Sequence, residues 1–197
     1  MQEIFYEESA RTQNEKSASR KYYIFKSISI ISYIFMVLWI ILVFTAFPFG
    51  QGNIFINILI VLVPCILFFL SGFLLGKFKN KFYVDYDYTF VTGSIRIAKV
   101  IKNIKRSFVI KFETSAIEKL GKYASDTYEK YSAMPGVTKL ILTSNVTPDV
   151  GKDFYYLVIN IDGNKKLLIM ECTETFMVHV LRYSNKAVLE EDFKWFT

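Results

Sequence analysis

Between Ser27 and Gly76 the chain has no Asp, Glu, Lys, Arg or His for fifty consecutive residues. The whole sequence of 197 residues has one histidine, His179, and two cysteines, Cys65 and Cys172. Two such thiols make no disulfide framework. A single imidazole leaves too few ligands for the usual Cys/His zinc sites, so neither a metal nor a cofactor is predicted. No Ser or Cys nucleophile is recognisable beside His179 and no phosphate-binding loop is present, so no catalytic residue and no enzymatic activity are predicted. Residues 82–197 carry sixteen basic and fourteen acidic side chains, only +2 of the chain's +6. A domain so nearly balanced is not expected to bind nucleic acid.

What is there follows from the first of these absences. About 20 apolar residues at 1.5 Å each cross the hydrocarbon of a bilayer, and the uncharged run is long enough for two crossings. The segment Pro48-Phe49-Gly50-Gln51-Gly52-Asn53 supplies a turn between them. The sequence therefore predicts a transmembrane hairpin over 27–76, with helices at 28–47 and 54–75, because a backbone in lipid must satisfy its polar groups within the segment. Arg11, Lys16, Arg20, Lys21 and Lys26 precede the first span and Lys77, Lys79 and Lys81 follow the second, while the turn has no cation. That asymmetry predicts a multi-pass protein of the cytoplasmic membrane with both termini in the cytoplasm. The spans hold no charged side chain and no ionisable group lines a path, which makes an ion or proton pathway a poor candidate. Gly72 and Gly76 form a small-xxx-small pair, with Ser29 and Ser32 at matching depth in the first helix, which predicts close helix contact there. Residues 1–26 read as a cytoplasmic N-terminal segment, polar and mixed in charge, in which any helix would lie loosely at the membrane surface. Residues 77–81 read as a basic linker.

After Lys81 the hydrophobic period changes to two. Phe82, Val84, Tyr86, Tyr88 and Phe90 alternate with polar residues, and Thr92-Gly93 marks a tight turn into a return strand ending near Ile101. Further strands are expected at 108–112, 116–122, 138–144, 154–161 and 166–171, the last two joined by Asp162-Gly163, a strong hairpin signal. The segment 121–137 reads as irregular. Thr173 is placed to cap an amphipathic helix from Glu174 to about Glu190, with Met177, Val180, Leu181, Ser184 and Val188 along one side. Seven short antiparallel strands followed by one helix is the layout of a pleckstrin-homology-like (PH-like) barrel. The fold class expected is thus an α+β membrane protein, a two-helix hairpin followed by a cytoplasmic PH-like barrel or sandwich over 82–197. The stretch Asp85-Tyr86-Asp87-Tyr88-Thr89-Phe90-Val91-Thr92-Gly93-Ser94-Ile95-Arg96-Ile97 also resembles the first hairpin of an uncharacterised family of small Gram-positive bacterial membrane proteins. In these, two N-terminal spans precede a bacterial PH-like domain. The resemblance implies fold and location and no chemistry.

Between Asp87 and Glu113 there is no acidic residue, while Arg96, Lys99, Lys102, Lys105, Arg106 and Lys111 are basic. This run is the candidate site, a patch facing membrane or other anions, to which each near-surface cation contributes about 1 kcal/mol. Anionic lipid headgroups and a protein partner are the ligands it suggests. Asp85 and Asp87, two apart on one strand, read as an outward polar face, and Tyr123, Tyr128 and Tyr131 as a solvated excursion or a docking loop. The functional expectation is a non-enzymatic, membrane-anchored binding or scaffold module. The alternative is an accessory or regulatory subunit of a larger membrane complex, distinguishable because an unrelated two-span anchor would replace the hairpin in the first case and fail in the second.

Overall fold

The computed structural model describes residues 4–46, 53–184 and 189. They fall into two compact units, one within 14–83 and the other drawn from both 1–13 and 84–197. The first is a pair of helices, α1 (Glu15–Ala46) and α2 (Ile54–Phe78), closed by a short 3₁₀ turn at Lys79–Lys81. Asn14 Oδ1 accepts from Ser17 N at 3.1 Å at the start of α1, and Asn53 Oδ1 accepts from Phe55 N at 2.9 Å at the start of α2, so each helix opens on a side-chain cap. Both are long and apolar enough to cross a membrane. Only 11% and 6% of their most apolar windows are buried, which sets them apart from the core helices of a globular domain. Residue 47, the end of the first predicted span, and residues 48–52 of the predicted turn lie outside the described residues.

The two helices meet where the small residues are. Ser29 Oγ donates to Gly72 O at 2.7 Å. A Cβ on Gly72 would stand 2.9 Å from Tyr33 Cζ, and one on Gly76 would stand 3.2 Å from Ser29 Oγ. A larger residue at position 72 would have to displace the Tyr33 ring, so glycine there permits the close approach of the two helices. Ser32, although buried, donates to Ile28 O in its own helix at 3.0 Å. Near the other end Phe25 stacks on Phe82 with centroids 4.8 Å apart, and the Tyr83 hydroxyl donates to the Glu15 carboxylate.

Among its described residues the second unit has eight strands in two four-stranded sheets. Strands β1 (Phe5–Ala10), β2 (Val84–Val91), β3 (Ser94–Ile101) and β4 (Lys105–Glu113) form one sheet in that order. The other contains β5 (Ile117–Lys122), β6 (Thr138–Ile141), β7 (Asp153–Ile161) and β8 (Asn164–Cys172) in the order β5-β7-β8-β6. Tyr88, Phe90, Ile95 and Ile97 from the first sheet and Leu157, Ile159, Leu168 and Met170 from the second are fully buried in one core, each such apolar side chain contributing about 1.5–3 kcal/mol. Helix α4 (Glu174–Tyr183) adds Phe176, Met177 and Val180 to that core, the register expected from its i, i+3, i+4 pattern. Its predicted continuation to Glu190 lies mostly outside the described residues. Thr92-Gly93 and Asp162-Gly163 both turn with positive φ at the two central positions, the backbone that two-residue hairpins need.

Four features depart from the sequence reading. Residues 5–10 are a strand rather than part of a loose surface segment. They pair antiparallel with β2, Phe5 opposite Val91 and Ala10 opposite Tyr86, so α1 and α2 are inserted between two neighbouring strands of one sheet. Among the described residues the strands number eight instead of seven. β6 runs parallel to β8 and so breaks the antiparallel pattern. The irregular segment contains α3 (Asp126–Ser132), capped by Ser125 accepting from Tyr128 N at 3.2 Å. Tyr128 packs with Tyr156, Val158, Leu167 and Ile169 on the outer side of the second sheet, which makes it a second small core and removes the solvated reading of this tyrosine.

If β1 belongs to the folded unit, replacing residues 14–83 by a short Gly/Ser linker gives a soluble domain that unfolds cooperatively. The fragment 82–197, without β1, should be less stable by about 3 kcal/mol or roughly 10 °C in Tm, since it opens the core at Ala10 and leaves β2 as an edge. Thermal unfolding followed by circular dichroism compares the two.

Candidate functional site

The six basic residues lie on one β-hairpin but not on one face. Directly opposed residues of paired strands share a face. Arg96 stands opposite Lys111, and Val100 opposite both Asp85 and Arg106, which places Arg96, Arg106 and Lys111 on the outer face of the first sheet. Lys99 stands opposite Tyr86 and Ser107, and Lys105 opposite Ile101, so these two point to the other face. Lys102 sits in the β3–β4 turn, where it and Asn103 both have positive φ. A bulge between Ile97 and Ala98 in the β3–β4 register leaves Val109 as the extra residue, and it is this residue that moves Arg106 to the side of Lys111.

On the outer face the cations have local partners. The Arg106 guanidinium lies 3.1 Å from Asp87 Oδ2, and the Arg96 guanidinium covers the exposed Phe108 ring at 5.9 Å. Asp85 and Asp87 are both buried, contrary to the outward polar face the alternation suggested. The cause is β1 and the residues that follow it. Ser9 Oγ donates to Asp87 Oδ1 and Thr12 N to Asp85 Oδ1, each at 2.7 Å. Ser9, Arg11, Asp85, Asp87, Asn103 and Arg106 enclose a small polar cleft of about 140 Å³. The two carboxylates accept hydrogen bonds from neighbouring backbone and hydroxyl groups, and among the described residues no group of three His, Cys, Asp or Glu side chains is placed to hold a metal. Their chemistry is that of anchors for the N-terminal strand.

A second polar centre was not visible in the sequence. Glu171 on β8 is fully buried. Its carboxylate accepts from Asn145 Nδ2 at 2.8 Å, from Asp149 N at 3.0 Å and from the Thr143 hydroxyl. Neutral donors thereby satisfy a buried acid and pin the loop between β6 and β7. That loop in turn grips the segment after β1: Gln13 N donates to Asn145 Oδ1 at 3.0 Å, Gln13 Nε2 to Thr147 O at 2.8 Å, and Asn145 Nδ2 to Arg11 O at 2.8 Å. Glu8 extends the same anchoring to α4. Its carboxylate accepts from Thr173 N at 2.9 Å and from Thr173 Oγ1 at 2.8 Å at the helix cap, with Lys152 Nζ 3.4 Å away.

The remaining reactive side chains are structural. Cys172 is fully buried in the core, and burial, with Glu8 adding to it, pushes its thiol well above the usual range, so it is not a nucleophile near neutral pH. His179 lies against the rings of Tyr6 and Phe90, with centroids at 5.2 and 6.3 Å. One turn further along α4, Tyr183 makes an edge contact with Phe90 at 5.4 Å.

These contacts separate the cations by consequence. Arg106→Ala removes the partner of a buried carboxylate and should cost about 1–2 kcal/mol, discounted because the guanidinium is mostly in water. Lys105→Ala and Lys111→Ala should each stay within about 0.5 kcal/mol. Denaturant unfolding of the linker-closed domain reads the difference.

The family model of the Bacterial PH-like domain (DUF6106) matches residues 14–190. The match begins at the residue before α1, so β1 lies outside it. No curated protein and no solved structure matches the chain, and no catalytic family is identified. Two long apolar helices followed by two sheets and a C-terminal helix, matched by that model over most of the chain, make this protein a member of the bacterial PH-like domain family DUF6106.

Proposed function

We propose that the protein is a non-enzymatic binding or scaffold module held at the cytoplasmic face of the cell membrane. In this reading α1 and α2 cross the bilayer as a hairpin, and the two segments that flank them fold together as the cytoplasmic PH-like domain, a barrel-like pair of sheets plugged by α4. The observation that carries it is the insertion of two apolar, largely uncovered helices between the neighbouring strands β1 and β2. Both strands then tether the domain at one end, and a domain tethered within a few residues of a bilayer is held at high effective concentration beside it. The charge distribution supports the orientation, since eight cations flank the spans at their outer ends and the turn has none. The basic residues of the β3–β4 hairpin, Lys99, Lys102 and Lys105 with Arg96, Arg106 and Lys111, are divided between its two faces and its turn, and it is their summed positive charge, not one continuous patch, that favours anionic headgroups or an acidic partner.

Reporter fusions test the topology. An enzyme active only outside the cytoplasm should work when inserted at Gly50 and fail when fused after Thr197. The reverse pattern would put the two-sheet domain outside and end this reading.

A further inference from the structure

Among the described residues, the three most exposed large apolar side chains of the chain are Val150 at 98%, Val146 at 93% and Ile104 at 79%. They are more exposed than any described large apolar side chain on α1 or α2. Single exposed aliphatics need no explanation, but these three share one end of the two-sheet unit. Strand register fixes this for Ile104. Val84, the first residue of β2, stands opposite Ile101, the last of β3, while Ala10, the last of β1, stands opposite Tyr86. The β3–β4 turn carrying Ile104 therefore lies at the end of the sheet from which the chain departs toward α1 and to which it returns from α2. Hydrogen bonds fix it independently for the valines. The β6–β7 loop that carries Val146 and Val150 is bonded to Arg11 and Gln13, the last residues before α1 begins. The opposite end carries the Thr92-Gly93 and Asp162-Gly163 turns.

We propose that this end is a bilayer-contacting surface, on which Ile104, Val146 and Val150 enter the headgroup region of the membrane that α1 and α2 cross, with Lys102, Lys105 and Arg11 beside anionic lipid phosphates. The proposal rests on the membrane reading of the two helices and adds to it a specific face and specific residues. Charge complementarity favours lipid as the occupant. Lys102 and Lys105 flank Ile104 in the sequence Lys102-Asn103-Ile104-Lys105, and exposed Arg11 lies on the segment bonded to the loop. The acid on that loop, Asp149, accepts from Val150 N at 2.9 Å through its Oδ1, which turns it to holding the loop tip. Aliphatic tips ringed by cations suit an interface where phosphate overlies hydrocarbon. The basic side chains Arg96 and Lys111, further along the outer face, are not part of this surface.

The test uses the full chain in vesicles of phosphatidylglycerol mixed with phosphatidylcholine. In a Cys65→Ser background, with Cys172 buried and unlabelled, an environment-sensitive fluorophore is attached at Ile104→Cys, Val146→Cys or Val150→Cys. Leu62→Cys in α2 and Asn164→Cys at the opposite end of the domain serve as references, and quenching by lipids brominated on the acyl chains is measured. All three tip positions should show a blue-shifted emission and quenching several-fold above that at Asn164→Cys. Quenching at Leu62→Cys with tip positions no different from Asn164→Cys would overturn the proposal and leave the membrane reading standing. Absence of quenching at Leu62→Cys would overturn both.

Discussion

The pairing of β1 with β2 ties the N-terminal strand to the segment that follows the helical hairpin. Ala10 and Tyr86 are neighbours in one sheet, yet the whole helical hairpin lies between them in sequence. Closing a loop of that length by chance carries an entropic cost that grows only slowly with length, and here each unit closes its own side of the junction. In the helical unit the Tyr83 hydroxyl is bonded to Glu15, and in the two-sheet unit Thr12 Oγ1 donates to Val84 O at 2.8 Å. Residues on both sides of each crossing are thus brought together twice, by helix packing at Ser29 and Gly72 and by strand pairing.

Many of the polar contacts of the two-sheet unit serve that pairing. Asp85, Asp87, Glu8 and Asn145 each hold some part of residues 8–13, and Glu171 holds the loop that holds Asn145. This explains why buried carboxylates occur in a domain without a metal cluster among its described residues. They hold a seam where the chain must leave one unit for another, and each accepts at least one hydrogen bond from a nearby donor. Asp85 and Asp87, expected on an outward polar face, are instead buried fastenings of the N-terminal strand.

How much was legible in the sequence depends on whether the signal was local. The uncharged run from Ser27 to Gly76 and the alternation from Phe82 to Ile101 reflect environments repeated residue by residue, so the helices and the strands β2 and β3 could be read directly. Turns such as Asp162-Gly163 announce their backbone because few residue pairs accept two positive φ angles. β1 was hidden because its inward positions are Tyr6, Glu8 and Ala10, and Glu8 is inward only to cap Thr173, far away in sequence. Tyr128 was hidden because α3 is two turns long and its apolar partners are strand residues of β7 and β8. The basic run shows the limit most clearly. Counting by two from Lys111 puts Lys105 on the same face, but the extra residue at Val109 puts Arg106 there instead, and a bulge leaves no mark in composition.

The N-terminal strand and the segment after α2 make one sheet around an inserted hairpin. Disulfide formation in the intact, membrane-inserted chain tests it most directly. Glu7 stands opposite Thr89 on the exposed face of β1 and β2, at a spacing suited to a cross-strand bond. With Glu7→Cys and Thr89→Cys introduced together into a Cys65→Ser background, mild oxidation should give an intramolecular disulfide in monomeric protein. Pairing Glu7→Cys with Lys139→Cys on β6 of the other sheet should not. Failure of the Glu7–Thr89 pair to close, or equal closure with the off-register control, would contradict the shared sheet and with it the account built on that seam.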